Sequence, residues 1–326
     1  MESLITTKPL SLDNSKRSTF IACPKKYYYE YVANLQKETG STALRYGTCF
    51  HAGLEAYYEH VRVNGWTKDG EALKAAILHA KEVWEEETAL FSSFYEDYRT
   101  LPNLVLALTT YFNHFSADEG FLEVISPEKA FKILITDTDN FSFYFTGKID
   151  LKIRLNGAVW GNEFKTSGLS LKQQTARIQK SPQIIGYSYA IRETSSAQEA
   201  PEGFLTTLHQ ITSRRKKDGE YGKLTIDFTR PPQAFSHQDI CHWRKSILHT
   251  AKSLSSAIKD NFFPKYFDSC YQYGRCKFMD LCEQNTSPGE EITYGYQERI
   301  PWDVLKTVKE GAIIEVEEKG DYNDIA

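Results

Sequence analysis

The 326-residue chain has little of what marks a fibrous, disordered or membrane polypeptide. Nineteen glycines and eleven prolines are too few for a collagen-like or low-complexity chain. No window approaches the ~18 apolar residues of a membrane span. The amino end, Met1-Glu2-Ser3-Leu4-Ile5, lacks the basic segment and apolar stretch of a secretory leader, so a cytoplasmic protein is the expectation. Neither sign of charge dominates: 39 Lys and Arg against 43 Asp and Glu leave a net charge of −4. Attraction to a polyanion must therefore come from a local basic surface. A Gly-x-x-x-x-Gly-Lys-[Ser/Thr] phosphate loop is absent, which excludes a complete ATP-driven motor, and no internal repeat is visible.

What is present suits a globular α/β chain. A hydrophobic content of 41% and an aromatic content of 13% are enough for a substantial core in one large domain or two. Helical spacing covers 14–34, interrupted at Cys23-Pro24, and 47–60, where Phe50, Leu54 and Tyr57 recur at intervals of four and three. Two amphipathic stretches, about 70–92 and 101–116, complete a helical block. Apolar and polar residues then alternate from Lys129 to Phe164, and Asn156-Gly157 marks a hairpin. A helix is expected across about 170–192, followed by a second hairpin, Phe204 to Ile211 and Leu224 to Phe228, with Asp218-Gly219 in its turn. A helix over 236–258 leads into a cysteine-rich segment, 262–283. The acidic end reads as a solvated tail in which Ala312 to Val316 can add an edge strand.

The two strands joined at Asn156-Gly157 carry chemistry. Asp150 ends Gly147-Lys148-Ile149-Asp150, and Glu163 and Lys165 lie in Trp160-Gly161-Asn162-Glu163-Phe164-Lys165. Residues two apart on a strand share a face, so Glu163 and Lys165 project together while Phe164 points to the opposite layer. Two carboxylates and an ammonium on one face suit phosphodiester hydrolysis with Mg²⁺ or Mn²⁺, since hard cations take oxygen ligands and stabilise phosphoryl charge. Glu-x-Lys alone says little, because Glu317-x-Lys319 stands in the acidic tail. Upstream His51, in Gly47-Thr48-Cys49-Phe50-His51, and downstream Gln183 and Tyr187, four apart on one helix face, make the set more specific.

In this ordered set the sequence resembles the RecB-like nucleases of the PD-(D/E)XK superfamily, in particular stand-alone members with an iron-sulfur cluster. The resemblance runs from Cys23 to Cys282. It implies a restriction-endonuclease-like core, a mixed central sheet flanked by helices. His51, Asp150, Glu163 and the carbonyl of Phe164 match the metal ligands; Asp150, Glu163 and Lys165 match the catalytic residues, with Gln183 and Tyr187 matching the family's Gln and Tyr motif. Ile149 replaces the Pro of the superfamily's name. Glu128 sits where relatives often carry an acid and is left outside the assigned set.

Cys270, Cys276 and Cys282 have five residues between each consecutive pair. The triplet is one thiolate short of a four-sulfur site, and Cys23 is the fourth candidate, a division between the two ends that the iron-sulfur relatives share. Four thiolates suit a [4Fe-4S] cluster. Tetrahedral Zn²⁺ remains the competing metal, although the short Cys-x₂₋₄-Cys knuckles usual for it are absent. Joining residue 23 to residue 270 closes a loop of roughly 250 residues, an effect of about 5 kcal/mol in the chain-entropy model of crosslinks. Cys49 and Cys241 have no spacing partners and read as buried thiols.

Lys172, Arg177 and Lys180, and the run Arg214-Arg215-Lys216-Lys217, are candidate phosphate contacts, and Tyr27, Tyr28, Tyr29 and Tyr31 can stack bases or pack around a cluster. The resulting expectation is one nuclease domain over 1–310, with a helical insertion at about 60–120, an iron-sulfur segment at 262–283 paired with Cys23, and an acidic tail at 311–326. The resemblance implies a DNA exonuclease acting on ends in recombination, repair or phage DNA metabolism, in a bacterial cell or phage-infected host, alone or beside a helicase or recombination protein. The rival reading is a non-catalytic DNA-binding or scaffolding subunit that keeps the fold.

Overall fold

The computed structural model describes residues 9–67, 70–138, 141–196, 199, 201–272, 274–284, 295–301, 303–306 and 313–316. The chain begins with β1 (Leu10–Leu12), α1 (Asn14–Ala22), α2 (Pro24–Tyr27), β2 (Leu35–Lys37) and β3 (Thr39–Gly40). A helical block follows: α3 (Thr42–Asn64), α4 (Glu71–Ala89), the short β4 (Ser93–Phe94) and α5 (Leu101–His114). Next come β5 (Leu122–Thr138), β6 (Phe141–Leu155), β7 (Ala158–Ser167), α6 (Leu171–Ile178), α7 (Pro182–Thr194), β8 (Pro201–Arg215), β9 (Tyr221–Thr229) and β10 (Pro232–Gln233). The chain ends through α8 (His237–Lys259), α9 (Met279–Gln284), β11 (Tyr296–Glu298) and β12 (Ile313–Val316). Among the described residues no helix is long and apolar enough to cross a membrane.

Two compact units emerge: Met1–Thr39, Phe131–Gly147 and Cys241–Ala326 form the first, Gly40–Ala130 and Lys148–Ile240 the second. The strands β5 and β6 each run through both. In the second unit β6 and β7 pair antiparallel from Leu151↔Asn162 to Leu155↔Ala158. Their turn has positive φ at Asn156 (51°) and Gly157 (84°), the left-handed pair that a tight hairpin demands. After the α6–α7 crossover β8 returns parallel to β7, with Glu163 opposite Thr206 and Lys165 opposite Leu208. β9 folds back antiparallel on β8, and β10 pairs with its first half, so the sheet is mixed. Helices flank it: Tyr46, Phe50, Leu54 and Tyr58 of α3 and Leu104, Leu108 and Tyr111 of α5 pack with Leu151, Ile153, Phe164, Leu205 and Ile211.

The stretch 170–192 is two helices instead of one. Ser170 and Gln173 close a capping box that starts α6, and Pro182 opens α7 after Ser181 is held extended (φ −71°, ψ 118°). Proline disfavours a helical residue before it and fits the first helical turn, which is the reason for the break. The same logic applies at Cys23 (φ −164°, ψ 111°), between α1 and Pro24 of α2. In the first unit β1 lies parallel to β6 at Leu10↔Phe143, and β2 pairs with β11. Tyr29, Leu35, Phe278, Leu281 and Tyr296 form a separate apolar cluster there. Ile313–Val316 is a strand next to β5, with Lys132 Nζ 3.1 Å from Glu315 Oε1. The remainder of 311–326 lies outside the described residues.

Candidate active site and cysteine cavity

α3, β5, β6, β7 and α7 bring one cluster of polar side chains together in the second unit. His51 lies on α3, one face of which is core; its Nδ1 is 3.5 Å from Asp150 Oδ2 on β6. The same carboxylate oxygen accepts the backbone N–H of Phe164 at 2.8 Å, which fixes it against β7. Strand alternation sends the Phe164 ring into the core beside Tyr58 and Tyr111, so Glu163 and Lys165 go the other way. Lys165 Nζ and Gln183 Nε2 both donate to Glu163 Oε1, at 2.5 and 2.7 Å. Tyr187, one turn beyond Gln183, is buried with its ring 5.9 Å from that of Phe204.

Burial sets the electrostatics. Glu163 is 3% and Asp150 8% exposed. Desolvation, and then the neighbouring Asp150 charge, push the Glu163 carboxyl up to about 7. Asp150 is raised as well, by burial against the opposing pull of Lys165 and the Phe164 N–H. Burial lowers His51 to about 4, so its imidazole is neutral and able to donate a lone pair at physiological pH. Burial works against the Lys165 ammonium, but Glu163 and Asp150 outweigh it and hold the group charged.

Glu128, left outside the sequence assignment, belongs with these residues. Donor atoms of His51, Glu128 and Asp150 all lie within 4.8 Å of one another. Its backbone has φ +49°, a strained value for glutamate inside a strand, directly after Pro127. Its place in the sequence, where relatives of the resembled family often carry an acid, was the available signal. Lys148, which shares a face of β6 with Asp150, ion-pairs with the Glu128 carboxylate.

Two observations test whether a cation fits. The carboxylates are desolvated beyond what the protein's own charges offset, and Glu163 Oε2 is buried with no hydrogen-bond partner among the described residues. An imidazole nitrogen with carboxylate oxygens is a donor set for Mg²⁺ or Mn²⁺. The residues fit.

Cys23, Cys270, Cys276 and Cys282 line one cavity of the first unit, together with Lys26 and Lys265. Cys23 is buried at the start of α2, and its Sγ accepts the Tyr266 N–H at 3.5 Å. The loop carrying the other three is closed by Cys276 N–H to Cys270 O (2.7 Å) and by Lys265 Nζ to Cys282 O (2.8 Å). Burial, then Cys276 and Cys23, raise the Cys270 thiol, so these sulfurs feel one another. The six cysteines form no disulfide, and Cys49 and Cys241 are buried, as the spacing suggested. Tyr27 and Tyr29 are buried; Tyr29 packs on Phe278, and Tyr28 on Phe263. Lys172, Arg177 and Lys180, and the hairpin tip Arg214 to Lys217, are exposed.

The family model of the PD-(D/E)XK nuclease superfamily matches residues 13–283, and the chain belongs to that superfamily. Among solved structures, the crystal structure of SSO0001 is similar at 12% identity, over 77% of this chain and 89% of that one, with a TM-score of 0.30. No curated protein matches the chain.

Proposed function

We propose that the chain is a deoxyribonuclease that hydrolyses phosphodiester bonds with Mg²⁺ or Mn²⁺, acting on DNA ends as an exonuclease. The observation that carries this reading is the convergence of His51, Asp150, Glu163 and Lys165, with one buried carboxylate oxygen left unpartnered among the described residues. His51, Asp150, Glu163 and the Phe164 carbonyl would hold the cation, with Glu128 as a further ligand. When bound, the cation supplies charge for the phosphoryl oxygens and acidifies water. Gln183 and Lys165 hold Glu163 in one rotamer, as their shared acceptor oxygen indicates. The Lys165 ammonium, 39% exposed, presents its remaining N–H donors to the attacking water or to developing phosphoryl charge. Tyr187 positions α7 and through it Gln183.

Cys23, Cys270, Cys276 and Cys282 would hold a [4Fe-4S] cluster that joins the two chain ends. The four line one cavity, and the short Cys-x₂₋₄-Cys knuckles usual for Zn²⁺ are absent from their spacing. DNA is the partner this reading requires.

The test is digestion of end-labelled linear and circular DNA, single- and double-stranded, with Mg²⁺, Mn²⁺ or EDTA. Cation-dependent loss of linear substrates, with circles spared, is the expected outcome, and Lys165→Met should slow it by about 10²-fold or more. DNA binding without hydrolysis of any substrate would instead support a non-catalytic subunit.

A further inference from the structure

A second cavity, of about 230 Å³, opens in the second unit at the carboxyl end of the strand that carries Glu163 and Lys165. It is lined by Ala43, Arg99, Thr166, Ser167, Gly168 and Ile211. Its volume equals that of roughly seven or eight liquid waters, enough for a phosphoryl group and part of a sugar but not for a duplex. Arg99 comes from the segment just before α5, inside the helical insertion that the catalytic residues do not use. Its guanidinium is held in advance: Nη1 ion-pairs with Asp97, the Arg99 N–H donates to Asp97 Oδ1 at 2.6 Å, and the plane lies 4.6 Å from the Tyr98 ring centre. A Cβ added to Gly168 would stand 3.6 Å from Arg99 Nη2 and 3.3 Å from Tyr98 Oη, so the absent side chain is part of the space. Thr166 and Ser167 place hydroxyl-bearing residues on the wall, and Ala43 belongs to the first turn of α3.

A preorganised guanidinium, hydroxyl-bearing wall residues and a glycine are the chemistry of a phosphate monoester seat: the fork geometry suits bidentate oxygens, and the small residue lets the ligand approach the backbone. Asp97 takes one edge of the guanidinium, which orients the other edge across Gly168. Ser167 and Gly168 lie two and three residues past Lys165, roughly 7–10 Å along a strand. A group seated there is distinct from the catalytic cluster and lies further along the same strand.

We propose that this cavity binds the terminal phosphomonoester of the strand being degraded, so that the protein selects phosphorylated ends. The inference rests on the nuclease reading for its substrate, and its test does not depend on cleavage. Fluorescence anisotropy in EDTA would compare the full chain's affinity for one oligonucleotide carrying a 5′-phosphate, a 3′-phosphate or two hydroxyl ends. One phosphorylated form should bind about tenfold more tightly, equivalent to ~1.4 kcal/mol, and millimolar inorganic phosphate should erode only that advantage. Arg99→Gln and, independently, Gly168→Ala should bring the phosphorylated form to the affinity of the hydroxyl-ended one. Equal affinities for all three ends, or a preference that survives both substitutions, overturn the assignment, whether or not free phosphate binds. A chain that keeps the end preference but never cleaves would overturn the hydrolase reading and leave this one standing.

Discussion

A carboxylate that is 3% exposed and has one oxygen without a hydrogen bond is costly unless a positive charge completes it, and among the described residues Glu163 is in that position. Manganese at about a hundred times its dissociation constant should stabilise the native protein by ~2.7 kcal/mol and raise its melting temperature. Glu163→Gln should remove most of that rise while the fold, read by circular dichroism, persists; an undiminished shift would move the cation site elsewhere. His209 gives a different titration. Its ring lies 4.5 Å from that of Phe50 and 4.7 Å from that of Phe228, and both nitrogens lack hydrogen bonds among the described residues. Burial lowers it to about 3 from an ordinary 6.5. Between those values the unfolded chain binds a proton that the folded one refuses, so stability falls as pH drops below about 6.5, by up to ~1.4 kcal/mol per unit. His209→Phe should flatten the melting curve against pH over 6.5–4. Parallel profiles for the two proteins would show that acid lability arises elsewhere.

The element that matters most is β7, whose position depends on Gly161. A Cβ there would stand 2.2 Å from the Phe204 ring on β8, and that ring in turn packs against Tyr187 of α7. Gly161→Val should therefore push β7 from β8, cost about 1–3 kcal/mol in chemical denaturation, and lower cleavage through displacement of Glu163 two residues on. Wild-type stability and rate in this variant would contradict the packing account. β7 was readable in advance because alternation and an Asn-Gly turn are local signals, which put Glu163 and Lys165 on one face of a strand next to that of Asp150, while their chemical roles rested on the ordered set with His51, Gln183 and Tyr187 and on the family resemblance. The break at Ser181-Pro182 was overlooked because the apolar spacing of 170–192 continues across it, although the proline was in view. Glu128 was set aside for another reason: its membership depends on a positive φ and on meeting α3, and neither leaves a periodic trace. Arg99 is similar, since only the folded insertion brings it to the end of β7.

At the scale of the molecule, the four cysteines lie in one unit and the carboxylates in the other. Cys276→Ala should lose iron and brown colour and destabilise the first unit, with any fall in cleavage secondary to that loss. A colourless variant of equal stability would contradict the structural role. For the nuclease centre, the most direct measurement is anomalous diffraction from crystals of the full chain grown with Mn²⁺. One peak bounded by His51, Asp150, Glu163 and the Phe164 carbonyl is the expected result. Fully occupied manganese elsewhere, with none among those groups, would contradict it.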